Sequence, residues 1–457
     1  SAELIQKKLD FVYNPNFFNS YLSNTNNVDV VKFDNIVYII YQGQHRNAYQ
    51  EEHRDSNSRE TQIFESTDGA LIASEDDDNY TSRNFSADDS YRTSNPSTFH
   101  SQGVNYHFIN TLRLDLGDGD DQVNIRSTQS NTTYKVNTGG GNDQTIISST
   151  ASNATIFEIP HPSSFQSGMP IPGTLDGILG NLIINSGTGN NELNVTDFSS
   201  STGKGTSDAP VLITPSTIEN LASASITYIA DDNSGQPTGT YEGGINIWTS
   251  TANDTIEFCG INHHNTATDN TFTTLLTGDG DDFVSLSALD LKGTACNYAD
   301  HDNLRRLTIR GNDGYDTIDA SLAVQPLLIW GNQDDDTLIG SRANDLIFGG
   351  AGNDILIGAS GHDVLTDKHN NNIIFGDDAQ IVFDHLTINT SDSTTAKRLS
   401  SLTPITIKST AAPVGFTANN NRDTITTGTG NDTILGGNAT DTITANAGDD
   451  IILGDNG

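Results

Sequence analysis

The sequence predicts an all-β chain built as a repeat array. Three observations carry this. From about residue 101 onward, short apolar, β-prone runs alternate with Gly/Asn/Asp turns. No stretch there sustains a helical apolar period. Toward the C-terminus the turns recur at a fixed interval of nine residues.

Composition narrows the function classes. In 457 residues, 59 are Asp or Glu and 22 are Lys or Arg, a formal net charge of −37. That balance argues against nucleic acid or an anionic membrane as the main partner and for the binding of cations. Hydrophobic residues make up 34%, low for one large globular core. No apolar run reaches the roughly 18 residues of a membrane-spanning segment. The chain begins at Ser1 without an initiator methionine or a signal-peptide pattern, as a mature form or a fragment would. Two cysteines, Cys259 and Cys296, are no disulfide framework; one bridge closing a loop is expected if the protein is extracellular, two buried thiols otherwise.

Texture divides the chain. Residues 1–41 form an N-terminal region ending in the β-branched run Val28 to Tyr41, which reads as one or two strands. Residues 42–100 are polar and read as loop-rich or partly disordered. Residues 101–306 read as irregular coils, 307–384 as a tight repeat block, 385–417 as a linker or excursion, and 418–457 as a second tight block.

In the first block the units read GSRANDLIF, GGAGNDILI, GASGHDVLT and DKHNNNIIF from residue 340 to 375; in the second, ANNNRDTIT, TGTGNDTIL, GGNATDTIT and ANAGDDIIL from 418 to 453. The sixth position holds Asp336, Asp345, Asp354, Asp363 and Asn372, then Asp423, Asp432, Asp441 and Asp450. The eighth holds Leu338, Ile347, Leu356, Leu365 and Ile374, then Ile425, Ile434, Ile443 and Ile452. A looser form of the turn recurs at Asp121, Asp143, Asn191, Asp282 and Asp316, at wider and irregular intervals.

This G-G-x-G-x-D-x-U-x pattern, U being a large apolar residue, resembles the RTX family of hemolysin-type calcium-binding nonapeptide repeats. The likeness is specific over about 330–376 and 418–457 and weak upstream to about 110. It implies a right-handed parallel β-helix passing into calcium-binding parallel β-rolls, preceded by a separate N-terminal region. It also resembles large extracellular RTX surface and adhesin proteins in its IIFGDD and IILGDNG segments, at 373–378 and 451–457.

The chemistry follows from the residue types. Glycine at positions one, two and four permits backbone conformations closed to other residues and lets carbonyls crowd an ion. The carboxylate at position six is a hard, charged oxygen donor. Calcium takes roughly six to eight oxygens, more than one turn supplies. Successive turns fall on opposite sides of a roll, so a site needs unit n and unit n+2. The expected pairs are Asp336 with Asp354, Asp345 with Asp363, Asp423 with Asp441, and Asp432 with Asp450. Asp354 with Asn372 is a weaker site because Asn carries no charge. Asp121, Asp143, Asp282 and Asp316 are further calcium candidates. Position eight points inward, and the resulting core is thin, so the ions are expected to contribute much of the stability.

Other signals are weaker. His263, His264 and His301 lack zinc-ligand spacing and read as surface-loop residues. No HExxH or GxSxG motif is present. Ala299-Asp300-His301-Asp302 only superficially resembles a motif of alginate epimerases. A flat Thr/Asn array for ice binding is not expected, since positions three and five vary. Asn-x-Ser/Thr sequons are as frequent as chance allows; in a secreted eukaryotic protein the best placed are Asn79, Asn84 and Asn131.

The sequence stops in mid-pattern at Gly457 with no cap. Further repeats of a longer chain, or the N-terminal region of another copy, would cover such an end, with Val28–Tyr41 as the candidate donor. The expected function is structural: an extracellular, calcium-stiffened fibre, surface-layer, matrix or adhesin-stalk protein. The alternatives are a glycan-binding adhesin, which aromatics such as Tyr228, Tyr241 and Trp248 exposed and aligned on one face would favour, and a β-helix polysaccharide lyase or epimerase.

Overall fold

The computed structural model describes residues 110–117, 119–151, 172–231, 239–260, 271–286, 307–378 and 421–455. It adds the backbone of strands Val28–Phe33, Ile36–Tyr41, Arg59–Glu65, Leu71–Ser74, Ala379–Phe383, Leu386–Asn389 and Pro404–Ser409. Every element is a strand; among the described residues there is no helix, and so none long and apolar enough to cross a membrane. The chain falls into two compact units. The first comprises Ser1–Ile159, Ser167–Asp197 and Ala222–Ile245; the second comprises Pro160–Gln166, Phe198–Leu221 and Asn246–Gly457.

The first unit is a parallel β-helix. One sheet stacks Thr111–Asp115, Thr133–Asn137, Leu182–Asn185 and Ile226–Ile229 in parallel. The other stacks Asp121–Ile125, Gln144–Ile147 and Asn190–Thr196. Consecutive strands alternate between the sheets, which makes each pair of strands one coil. Alternating side chains such as Leu112, Leu114, Val123, Ile125 and Val136 are buried between them, the period-two pattern of a strand with one inward face. At the N-terminal edge each sheet ends in a hairpin. Val28–Phe33 pairs antiparallel with Ile36–Tyr41, which runs parallel to Thr111–Asp115. Leu71–Ser74 pairs antiparallel with Arg59–Glu65, which runs parallel to Asp121–Ile125. The Val28–Tyr41 segment expected as a donor to another copy is thus paired within its own chain.

The wider coils are filled by large side chains. Tyr228 and Tyr241 meet edge to face, 6.0 Å between ring centroids, and the Tyr241 hydroxyl donates to the Ile229 carbonyl at 2.9 Å. Tyr228, Tyr241 and Trp248 are all buried. They therefore form no exposed face of the kind that would favour glycan binding: coils longer than nine residues leave interior volume, and these aromatics occupy it.

In the second unit the coils tighten into a roll. One sheet runs in parallel through Thr255–Phe258, Phe283–Leu286, Thr317–Asp319, Thr337–Ile339, Ile355–Ile357, Ile373–Phe375, Thr433–Gly437 and Ile451–Asp455. The other runs through Thr273–Leu276, Leu307–Asp313, Leu327–Gln333, Leu346–Ala351, Val364–Thr366, Thr424–Thr426 and Thr442–Thr444. Register pairs each eighth-position residue with the one two units on: Leu338 with Leu356 and Ile374, Ile347 with Leu365. These side chains are fully buried and form the apolar ladder.

The stack continues across residues 379–420. Leu365 pairs with Ile425, and Ile374 with Ile434. The repeats on either side are therefore neighbours in one roll. Gly376 and Asp377 are the first two positions of a turn that resumes at Asn421-Arg422-Asp423, so an insertion splits a single repeat turn. Three of its strands, Ala379–Phe383, Leu386–Asn389 and Pro404–Ser409, form an antiparallel sheet. Its two ends are joined by buried side chains, the Asn421 amide donating to the Asp377 carboxylate. The Asp377 carboxylate also accepts the Asn438 N–H.

Cys259 is buried and disulfide-bonded. Cys296, His263, His264, His301, Asp300, Asp302, Asn79 and Asn84 lie outside the described residues. Asn131 sits exposed in a turn at a φ of 64°, a backbone conformation that Asn tolerates better than most residues.

Leu356 is fully buried between the two sheets. Leu356→Ala is expected to lower stability by about 2–5 kcal/mol in saturating calcium, read as a shift in the urea midpoint. A change below about 0.5 kcal/mol would show that the apolar ladder is not a packed core.

Candidate metal centre

In the turns ending at Asp316, Asp336, Asp345, Asp354 and Asp363 the sixth residue lies just before a strand, with its side chain folded back over the first residue of the same turn. The first position of these five turns is glycine for a steric reason. A Cβ at Gly331 would collide with the Asp336 carboxylate, and one at Gly340 or Gly358 would crowd the carboxylates of Asp345 or Asp363.

The two carboxylate oxygens have separate tasks. Oδ1 accepts the backbone N–H of the equivalent residue one coil earlier. The Asp336 N–H donates to Asp354 Oδ1 at 2.8 Å, Asp345 to Asp363 at 2.8 Å, and Asp354 to Asn372 at 2.9 Å. The ladders cross the insertion unbroken: Asp363 donates to Asp423 at 2.9 Å and Asn372 to Asp432 at 2.8 Å. Asp423 donates to Asp441 and Asp432 to Asp450, both at 3.0 Å. The four expected n, n+2 pairs are therefore all adjacent, linked rung to rung. Upstream in the second unit, Asp282 donates to Asp316 and Asp316 to Asp336, each at 2.9 Å. In the first unit, Asp121 donates to Asp143 at 2.9 Å and Asp143 to Asn191 at 3.1 Å.

Oδ2 is the remaining oxygen. In Asp282, Asp316, Asp336, Asp363, Asp423 and Asp432 it is buried and has no hydrogen-bond partner among the described residues. Stacked anions in a dry interior hold their protons tightly. Burial, reinforced by the charges of Asp316 and Asp354, pushes Asp336 up to about 10. Burial and Asp316 push Asp282 up to about 9, and burial pushes Asp316 and Asp423 up to about 8. Asp363 is raised by burial and then by Asp345 and Asp423. Buried charges persist when they are paired or coordinate a metal. Among the described residues no donor meets these six Oδ2 atoms.

The donors available at these turns are carboxylate and carbonyl oxygens, the set that suits calcium rather than zinc. Among the described residues no three acidic, histidine or cysteine side chains converge into a cage. Backbone carbonyls of the glycine-rich turns would complete the coordination, which is why the turns must be glycine-rich.

Not every sixth position carries the same mark. Asn191 and Asn372 keep the ladder through Oδ1, but turn the amide nitrogen onto a backbone carbonyl: Asn372 Nδ2 donates to His369 O at 2.8 Å and Asn191 Nδ2 to Thr240 O at 3.1 Å. Asp143 Oδ2 accepts the Thr138 hydroxyl at 2.5 Å, and Asp345 Oδ2 accepts the Ser341 N–H at 2.5 Å. Sequence reading missed two members. Asp254, whose N–H donates to Asp282 Oδ1 at 2.7 Å, belongs to the same ladder. Its signal was Asn253-Asp254-Thr255, the tripeptide of Asn431-Asp432-Thr433, in a turn without glycine. The other is Asp367, at a first position where glycine is usual.

Acid has a defined effect on the metal-free protein. These carboxyls have folded pKa values above their unfolded value of 3.8, so the fold binds more protons than the unfolded chain. The stability these groups contribute in chelator is then fully present below about pH 4 and is lost as pH rises through about 8–10. In excess EDTA the far-ultraviolet circular dichroism of the repeats is expected to show more strand at pH 5 than at pH 9, and saturating calcium to restore it at pH 9. Equal order at both pH values in EDTA would contradict this reading of the carboxyls.

Comparison with known proteins bears on the same turns. A search of curated proteins found no significant match. The profile of the RTX calcium-binding nonapeptide repeat matches in four copies, over residues 330–365 and 417–452. Those residues contain the turns of Asp336 through Asp363 and of Asp423 through Asp450. The chain carries RTX calcium-binding nonapeptide repeats, and the ion these repeats bind is calcium.

Proposed function

We propose that the chain is an extracellular structural repeat protein, stiffened by calcium, of the kind that forms a fibre, surface layer, matrix or adhesin stalk. The observation that carries this reading is the pair of carboxylate ladders, which run coil after coil with an unpartnered, buried Oδ2 at most rungs. Such an array converts calcium binding into rigidity along the roll, because each bound ion would join turns that are otherwise mutually repelling. RTX repeats are typical of secreted proteins. Extracellular calcium near millimolar would order the roll, and low cytosolic calcium would leave it unfolded before export.

The reading extends calcium to Asp282 and Asp316, which lie outside the matched residues and share the unpartnered Oδ2. Asp121 and Asp143 are weaker candidates, since the Thr138 hydroxyl already meets Asp143 Oδ2. The glycan-binding alternative loses the three aromatics on which it drew, which are buried.

Assembly is the finer part of the proposal. The final strand exposes Ile451 at 61%, Ile452 at 48% and Leu453 at 43%, although the equivalents of Ile452 in the same sheet, Ile374 and Ile434, are fully buried. A further strand, from a second copy or from more repeats, would cover these side chains. Electron microscopy of the purified chain in millimolar calcium is expected to show filaments one roll wide that disperse in chelator. Single short rods at all calcium concentrations would overturn head-to-tail assembly.

A further inference from the structure

The unit at residues 367–375, DKHNNNIIF, lies outside the residues matched by the repeat profile. It departs from the pattern at four positions: Asp367, Lys368 and Asn370 stand where glycine is usual, and Asn372 stands where Asp is usual. The departures at Asp367 and Asn372 are complementary. Asn372 keeps both ladder contacts, accepting the Asp354 N–H at 2.9 Å and donating its own N–H to Asp432 at 2.8 Å. Its Nδ2 closes the turn on His369 O at 2.8 Å. The turn is satisfied without a charge.

Asp367 puts a charge back one coil away. Strand Val364–Thr366 pairs in register with Leu346-Ile347-Phe348, so Asp367 follows it at the level of Gly349. The glycine leaves room for a visiting side chain: a Cβ at Gly349 would collide with both Asp367 Oδ2 and Asp354 Oδ2. The two carboxyls thus converge on one point. Each residue is 1% exposed, and neither Oδ2 has a hydrogen-bond partner among the described residues' donors. What each faces is the other carboxyl. Two ionised carboxylates hold that arrangement only with a cation, or a shared proton, between them.

We propose that Asp354 and Asp367 together hold a calcium ion, Asp367 supplying from the first position the negative charge that Asn372 withdraws from the sixth. The site rests on the calcium reading of the array, and it adds a ligand that the repeat pattern does not contain. It takes a hard divalent cation, because its side-chain donors are oxygens alone.

The test counts ions on the full chain. After equilibrium dialysis against saturating calcium, bound calcium per chain is measured for the wild type, for Asp367→Asn and for the double variant Asp367→Gly/Asn372→Asp. The isosteric Asp367→Asn is expected to bind one ion fewer than the wild type. The double variant restores glycine at the first position and aspartate at the sixth, and is expected to regain the wild-type count. A full complement with unchanged affinity in Asp367→Asn, or a double variant that stays one ion short, would overturn the assignment. A wild-type chain that binds no calcium would overturn the calcium reading of the whole array along with it.

Discussion

Stacking one carboxylate on the next, coil after coil, is the constraint around which the second unit is organised. The ladder needs an acceptor at the sixth position to take the N–H of the preceding rung, and Oδ1 provides it. At rungs such as Asp336, Asp363 and Asp423, choosing aspartate for that task buries a second oxygen that no hydrogen-bond donor among the described residues meets. Burying that charge unpaired is costly, and a bound cation offsets the cost. The glycines follow from the same constraint. A side chain at Gly331 or Gly349 would occupy the space that the carboxylates use.

The turns that depart from aspartate show what the alternatives are. Asparagine preserves the rung and replaces the missing cation with its own N–H, as at Asn191 and Asn372. A hydroxyl at the start of the turn does part of the same work, as Thr138 does for Asp143. Ser250 does so for Asp254, whose carboxylate accepts both the Ser250 hydroxyl at 2.8 Å and its N–H at 2.9 Å. The ladder is therefore the invariant element of the architecture, and the charge at each rung is adjustable.

Much of this was legible in the sequence, for a physical reason. A nine-residue coil has almost no freedom: the sixth and eighth positions must face a neighbour and the core, so their chemistry repeats. The alternation of units between two sheets, and hence the pairing of Asp336 with Asp354 and of Asp345 with Asp363, followed from geometry alone. Wider coils escape this. Their length varies, so their interiors are filled by whatever fits, and Tyr228, Tyr241 and Trp248 could not be placed inside or outside from spacing. The unbroken stacking across residues 379–420 was hidden because the split turn separates Gly376-Asp377 from Asn421-Arg422-Asp423 in sequence but not in space. Asp254 and Asp367 were missed because each sits in a turn whose glycine signal is absent, and only the three-dimensional ladder shows what they join.

The central claim is that cations sit against the buried Oδ2 atoms, and long-wavelength anomalous diffraction from crystals grown in calcium tests it most directly. The account predicts anomalous peaks along both edges of the roll, each beside the first-position glycine of its turn and within about 2.3–2.6 Å of Oδ2 in residues such as Asp336, Asp363 and Asp423. A well-ordered roll in saturating calcium with no anomalous density at those oxygens would contradict it.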